Sequence, residues 1–190
     1  MKLLEQRILR DGEIRPGGIL KVDGFLNHRI DPALSYEMAL ELKRLFAGED
    51  VNKVLTIEAS GIAMACMTAY VLGCPMVFAK KSKTRNISDK VFAAEVESFT
   101  HGNTNTVIVS KEYLGPRDRV LIVDDFLATG AALIGLKSLV EQAGGTVVGA
   151  GIAIEKVFQG GGNSLRAQGL RVESLARIAS MDDNWSITFC

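Results

Sequence analysis

Residues 120–132 read Val-Leu-Ile-Val-Asp-Asp-Phe-Leu-Ala-Thr-Gly-Ala-Ala: four β-favouring apolar residues, two adjacent carboxylates, then a turn of small residues. The apolar run predicts a strand covered on both faces, and ligands of open α/β sheets gather beyond the carboxyl ends of such strands. Asp124 and Asp125 therefore stand where a ligand would bind. Neighbouring carboxylates can accept hydrogen bonds from a vicinal diol. The backbone N–H groups of Ala128, Thr129, Gly130, Ala131 and Ala132, opening the helix that follows, can cradle a phosphate. A sugar phosphate meets both conditions. An Asp-Asp pair alone reads as well as a solvated turn or a helix cap; the full order of strand, acid pair, spacer and Thr-Gly turn favours the ligand site.

Three more groups fall at strand ends. Glu58-Ala59-Ser60-Gly61 follows an apolar strand and offers small residues and amides to a second phosphate, although by itself it reads first as an ordinary Ser N-cap. Lys80-Lys81-Ser82-Lys83-Thr84-Arg85 sets four cations in six residues after the next strand. Such a run is commonly a solvated face, but the polar stretch 86–90 after it has the character of a lid over a site. Glu155-Lys156 ends the strand after the signature helix, which puts Lys156 at the same crevice or on the plain surface.

The elements that must position these groups alternate. Residues 32–46 predict a helix opened by Asp31-Pro32, carrying Leu34, Met38, Leu42 and Leu45 on one face and closed by Gly48. A strand at 53–58, a helix after Ser60 and a strand at 76–79 come next. Segments 93–99 and 106–110 look like an antiparallel pair. After the strand 120–123 come a helix at 131–143, stopped by Gly144-Gly145, and a buried strand at 147–154. This alternation implies an α/β fold, a parallel sheet with helices on both faces.

At 190 residues and 47% hydrophobic content the chain can bury one substantial core, and no compositional shift marks a second domain. Twenty-two Lys and Arg balance 22 Asp and Glu, which argues against nucleic acid or an anionic membrane as partner. Cys66, Cys74 and Cys190 lack metal-ligand spacing and suit a disulfide-free cytosolic protein; His28 and His101 form no ligand cluster. The first seven residues interleave charge with apolar residues, as in a short amphipathic helix rather than a secretory signal. The uncharged run 61–79 approaches membrane-span length, but Gly73-Cys74-Pro75 breaks it into a helix and a strand. No Gly-x-Gly-x-x-Gly opens a helix after a strand, which excludes a dinucleotide-binding dehydrogenase.

The string 120–132 resembles the phosphoribosyl-diphosphate signature of type I phosphoribosyltransferases. Leu20-Lys21-Val22-Asp23-Gly24-Phe25-Leu26-Asn27-His28-Arg29-Ile30-Asp31-Pro32 is similar to the hood of bacterial members whose accepting base is xanthine, and residues 171–178 match the same group. The resemblance covers nearly the whole chain. It implies the type I fold, a central mostly parallel sheet flanked by helices with a small hood. Residues 1–190 would be a single domain, the hood formed by about residues 1–32 and the C-terminal segment. The implied reaction moves ribose 5-phosphate from phosphoribosyl diphosphate to N9 of xanthine, giving xanthosine monophosphate and diphosphate in purine salvage. Two alternatives stay open: a guanine/hypoxanthine enzyme, and a noncatalytic regulator that binds phosphoribosyl diphosphate.

Residue by residue, the resemblance gives phosphoribosyl diphosphate to Ala128, Thr129, Gly130, Ala131, Ala132, Asp124 and Asp125, with Ala59 and Ser60 on the diphosphate in a loop that often holds a cis peptide. Lys80 and Lys81 would meet the diphosphate as it leaves. Leu20, Asn27 and Lys156 would bind xanthine, Lys156 at O6, with Val157 and Phe158 walling the ring. Asp125 would also favour the positive charge that develops on the ribose, and no general base is assigned. Mg²⁺ would arrive on the diphosphate, with no metal ligand assigned directly to the protein. A cytoplasmic homodimer is implied. Many members carry a hydroxyl where this chain has Ala132, so its phosphate would rely on backbone amides, Thr129 and the helix dipole.

Overall fold

The computed structural model of the chain describes residues 1–81, 90–97, 104–182 and 186–190. Helix α1 (Lys2–Asp11) buries Leu4 and Ile8; β1 (Glu13–Arg15) and β2 (Ile19–Lys21) form a hairpin, and Asp23–Asn27 close in a π-helical turn. Helix α2 (Pro32–Leu45) starts as its sequence predicts. The Asp31 side chain accepts from the Leu34 N–H at 3.1 Å, Pro32 sits in the first turn where its missing N–H costs nothing, and Leu34, Met38 and Leu42 are buried. β3 (Lys53–Ile57), α3 (Ile62–Leu72) and β4 (Met76–Ala79) follow, then the antiparallel pair β5 (Val91–Glu97) and β6 (Thr104–Ser110). The chain closes with β7 (Arg119–Leu127), α4 (Ala131–Gln142), β8 (Thr146–Lys156), α5 (Gly161–Ala167), β9 (Val172–Met181) and β10 (Ile187–Phe189).

Among the described residues six strands form the central sheet in the order β10-β9-β8-β7-β3-β4, every pairing parallel except β10 with β9. β7 shows why its sequence reads as a near-continuous apolar run. Val120 and Ile122 enter a core shared with Leu133, Leu136 and Leu139 of α4 and with Val107 and Val109 of β6. Leu121 and Val123 enter the opposite core, with Leu4, Met38, Leu42 and Met64 from α1, α2 and α3. Successive side chains on a strand alternate faces, and both faces here are covered. Full burial of each such side chain contributes ~1.5–3 kcal/mol, so the strand that carries the acid pair is among the most firmly held.

Several expected bounds change. The strand expected at 120–123 runs through Leu127, because β8 continues beside it and pairs Glu155 with Leu127; Asp124 and Asp125 lie within the strand rather than after its end. β8 likewise runs from Thr146 to Lys156 instead of 147–154. The strand expected at 53–58 stops at Ile57, leaving Glu58 in the turn, and both strands of the antiparallel pair begin two residues earlier than expected. Phe99 lies outside the described residues. The uncharged run 61–79 divides at Gly73 into α3 and β4, and among the described residues no helix is long and apolar enough to cross a membrane. Cys66, Cys74 and Cys190 form no disulfide.

The hairpin β1–β2 and the 23–27 turn sit over the C-terminal ends of β7 and β8. Lys156 Nζ donates to the Gly18 carbonyl at 2.9 Å, and Asn27 Nδ2 donates to Asp125 Oδ2 at 2.8 Å. Arg7 of α1 pairs with Asp31 at 2.7 Å, joining the first helix to the start of α2.

Candidate active site

Asp124 and Asp125 are each 5% exposed, and strand alternation sends their side chains to opposite faces. Asp124 lines a cavity of about 200 Å³ together with Glu58, Ser60, Lys81, Thr129 and Gly130. Its Oδ1 accepts the Asp125 N–H at 3.0 Å. Burial first, and then the neighbouring Asp125 charge, push the Asp124 carboxyl well above the ordinary carboxylate range. Asp125 faces the hood: its Oδ1 accepts from Ser60 Oγ at 2.9 Å and its Oδ2 from Asn27. The two carboxyls still interact with each other at the β7 edge, and Ser60, which lines the Asp124 cavity, bonds Asp125.

Beyond Leu127 the backbone turns at Gly130, whose φ of 91° lies in the left-handed region that suits glycine, and α4 begins at Ala131. The first-turn amides of a helix have no partner inside it and carry the positive end of its dipole. Thr129, Gly130, Ala131 and Ala132 all line the cavity at this point. Anion binding by backbone is the chemistry this terminus offers.

The 58–61 loop closes the opposite wall. The Glu58–Ala59 peptide is cis, in the loop where the resemblance implies such a bond. Ser60 is not a helix cap: Gly61 takes the cap position of α3 with no side-chain cap, and the Ser60 hydroxyl goes to Asp125 instead. Glu58 Oε1 accepts the Lys81 N–H at 2.7 Å, which ties the start of the lysine run to this wall.

Lys80 and Lys81 part company. Lys81 lines the Asp124 cavity. Lys80 forms a β-bridge with Ile108, and its Nζ lies 5.9 Å from the Phe78 ring centroid, in a separate hollow with Lys53 and Tyr113. Extended backbone directs neighbouring side chains to opposite sides, so of these two lysines it is Lys81 that lines the Asp124 cavity. Ser82, Lys83, Thr84, Arg85 and the rest of the expected lid through Asp89 lie outside the described residues.

On the hood side, the half-buried Lys156 has its pKa lowered by desolvation, and its Nζ stands 5.5 Å from the Phe126 ring centroid. Phe126 also lines the Asp124 cavity, which sequence reasoning did not single out, although its place one residue past the acid pair was the available signal. Phe158 is 45% exposed. Leu20 is buried in the core while bordering a hollow with Asn27 and Val22. A protein-only metal site would need several converging donors, and among the described residues no group of three or more His, Cys, Asp or Glu side chains is so placed. The cavity carboxylates Glu58 and Asp124 suit instead a hard ion that keeps water and phosphate oxygens as ligands.

Residues 32–161 match the phosphoribosyl transferase domain. Xanthine phosphoribosyltransferases of Bacillus cereus (strain AH187) and Bacillus anthracis are each 51% identical over 189 residues, covering 100% of this chain and 95% of theirs. Among solved structures, adenine phosphoribosyltransferase from Rhodothermus marinus is similar with a TM-score of 0.73 at 26% identity, covering 93% of this chain and 99% of that one. The Giardia lamblia enzyme complexed with 9-deazaadenine gives 0.69 at 26% identity, covering 77% and 80%.

Proposed function

Because this chain belongs to the phosphoribosyl transferase family, we propose that it transfers ribose 5-phosphate from phosphoribosyl diphosphate to N9 of xanthine, giving xanthosine monophosphate and diphosphate in purine salvage. The observation that carries the reading is the juxtaposition at one sheet edge. An anion-binding helix start and a buried acid line one cavity, and Asn27 and Lys156 of the hood side meet the same strand ends.

Ala128 to Ala132 hold a phosphate through backbone amides and the Thr129 hydroxyl, while Ala59, Ser60 and Lys81 serve the diphosphate. Asp124 and Asp125 approach the ribose hydroxyls from their two faces. Departure of diphosphate leaves positive charge on the ribose ring, and Asp125, held by Ser60 and Asn27, is the carboxylate suited to favour it. Holding both reactants aligned supplies much of the remaining rate. Mg²⁺ bound to the diphosphate would neutralise leaving-group charge, with Asp124 and Glu58 the nearest carboxylates to that cavity.

Asn27 gives one amide N–H to Asp125, and its second N–H and its oxygen can read the 2-position of the base. Lys156 donates to O6, with Phe126 and Phe158 beside the ring and Leu20 shaping the hood. Xanthine, an acidic base, can enter partly ionised, so no protein base is assigned. The chain works as one domain over residues 1–190, with the hood from about residues 1–32 and the C-terminal segment. It acts in the cytoplasm as a homodimer; supporting the dimer, α3 carries no charged residue and exposes Cys66 and Tyr70.

The test supplies phosphoribosyl diphosphate and Mg²⁺ with xanthine, guanine or hypoxanthine and identifies products by mass spectrometry. Xanthosine monophosphate formed at the highest kcat/KM supports the proposal. Preference for guanine or hypoxanthine would reassign the hood, and binding without any product would make the chain a regulator.

A further inference from the structure

Behind the phosphate loop lies α5. The Gly161 N–H donates to the Ala128 carbonyl at 3.1 Å, and a methyl at Gly161 would lie 2.3 Å from that oxygen and 2.4 Å from the Thr129 carbonyl carbon, so only glycine allows this approach. Leu165 of α5, 2% exposed, packs beneath Gly130, where an added Cβ would come within 3.0 Å of Leu165 Cδ1. α5 is itself clamped to the sheet: Arg166 Nη1 and Nη2 each donate to Glu155 at 2.7 Å, and Nε donates to the Val172 carbonyl at 3.1 Å. Glu155 is fully buried and stands opposite Leu127, the residue before Ala128. A bidentate Arg–carboxylate pair whose carboxylate is fully buried adds geometric specificity, holding the two groups in one orientation.

That geometry has a consequence for the ligand side. In a planar trans peptide the carbonyl oxygen and the following N–H point in opposite directions. Fixing the Ala128 carbonyl on α5 therefore turns the Thr129 N–H away from α5, and Thr129 lines the cavity. We propose that α5 is a positioning element: Gly161, Leu165 and the Glu155–Arg166 pair set the 128–130 backbone from behind so that its amides face the phosphate, without touching substrate. This rests on the assignment of residues 128–132 as a phosphate site.

Gly161→Ala and Leu165→Ala separate the possibilities, with Gly130→Val as the check on the phosphate assignment. In Gly161→Ala the methyl displaces the loop, and in Leu165→Ala its support is lost. Each should raise KM for phosphoribosyl diphosphate about tenfold to a hundredfold, the scale expected of a displacement near 1 Å, with KM for the base unchanged within roughly twofold. A melting temperature lowered with both KM values unchanged would reduce α5 to ordinary packing and overturn the proposal. If Gly130→Val raises the phosphoribosyl-diphosphate KM and neither α5 variant does, the brace fails and the phosphate site stands; if none of the three does, both fail. Should Gly161→Ala not fold, Leu165→Ala decides by the same split.

Discussion

Replacing Asn27 by Asp puts a second carboxylate where an amide now donates to Asp125 at 2.8 Å. Two unit charges about 4 Å apart repel by ~4 kcal/mol at an effective dielectric of about 20, and solvent at the half-exposed hood reduces this to roughly 1–4 kcal/mol. A negative neighbour disfavours the ionised form of a carboxyl, so the new pair should keep a proton up to higher pH, by roughly one to three pH units at 1.36 kcal/mol each. Activity that needs Asp125 charged should then appear only at higher pH. Asn27→Ala serves as the reference, because it removes the same hydrogen bond, a loss of ~1.5–3 kcal/mol for a charged acceptor, without adding charge. The assay is the pH dependence of kcat/KM for all three proteins with xanthine. The account expects the acid limb of Asn27→Asp to lie well above that of Asn27→Ala. Superimposable profiles for the two variants would refute the coupling between the hood and Asp125.

Gly130→Val should raise KM for phosphoribosyl diphosphate far more than KM for xanthine, since the left-handed backbone and Leu165 both oppose a side chain there; equal effects in steady-state kinetics would count against a phosphate role. Lys81→Ala should lower kcat by about tenfold to a hundredfold while Lys80→Ala leaves it near wild type, because of the two it is Lys81 that lines the Asp124 cavity; matching losses would return both lysines to one role. Asp124 has a raised pKa, so the folded state carries a penalty that grows as pH rises through that value. Asp124→Asn should therefore raise the neutral-pH melting temperature of the ligand-free protein while weakening its activity, and calorimetry beside the enzyme assay would show either change missing. At Glu155 burial is the largest influence and opposes ionisation, but the Arg166 hydrogen bonds, Ser174 and the Arg166 and Arg177 charges together outweigh it and its pKa is lowered. Its stabilisation is present above the unfolded value of about 4.3 and is lost as pH falls through the folded one, so Glu155→Gln should flatten the acid side of the stability curve, read by thermal melts across pH.

The sequence carried most elements because their signals are local. Asp31-Pro32 opens α2, Gly73 ends α3, and the apolar run of β7 needs no distant partner to be read. The strand's true end was hidden by Asp124 and Asp125, since only the neighbouring β8 shows that the ladder continues past two charges. Candidate groups could be placed at one sheet edge, but not sorted further: that Asp124 lines the cavity while Asp125 meets Asn27, and that Lys81 joins the cavity while Lys80 leaves it, follows from strand registers. Contacts across long separations left no local trace. Asn27 meets Asp125 from 98 residues away, and Gly161 reaches Ala128 only because α5 folds back beneath the loop.

The central claim is that phosphate, ribose and xanthine occupy the edge formed by β7, β8, the 58–61 loop and the hood. A crystal structure of the protein with xanthosine monophosphate and diphosphate tests it most directly. The account predicts a phosphate on the amides of residues 128–132, ribose hydroxyls beside Asp124 and Asp125, and the purine with O6 at Lys156 and its 2-oxo group at Asn27. A nucleotide seated elsewhere, or one whose base turns away from Lys156 and Asn27 toward solvent, would contradict it.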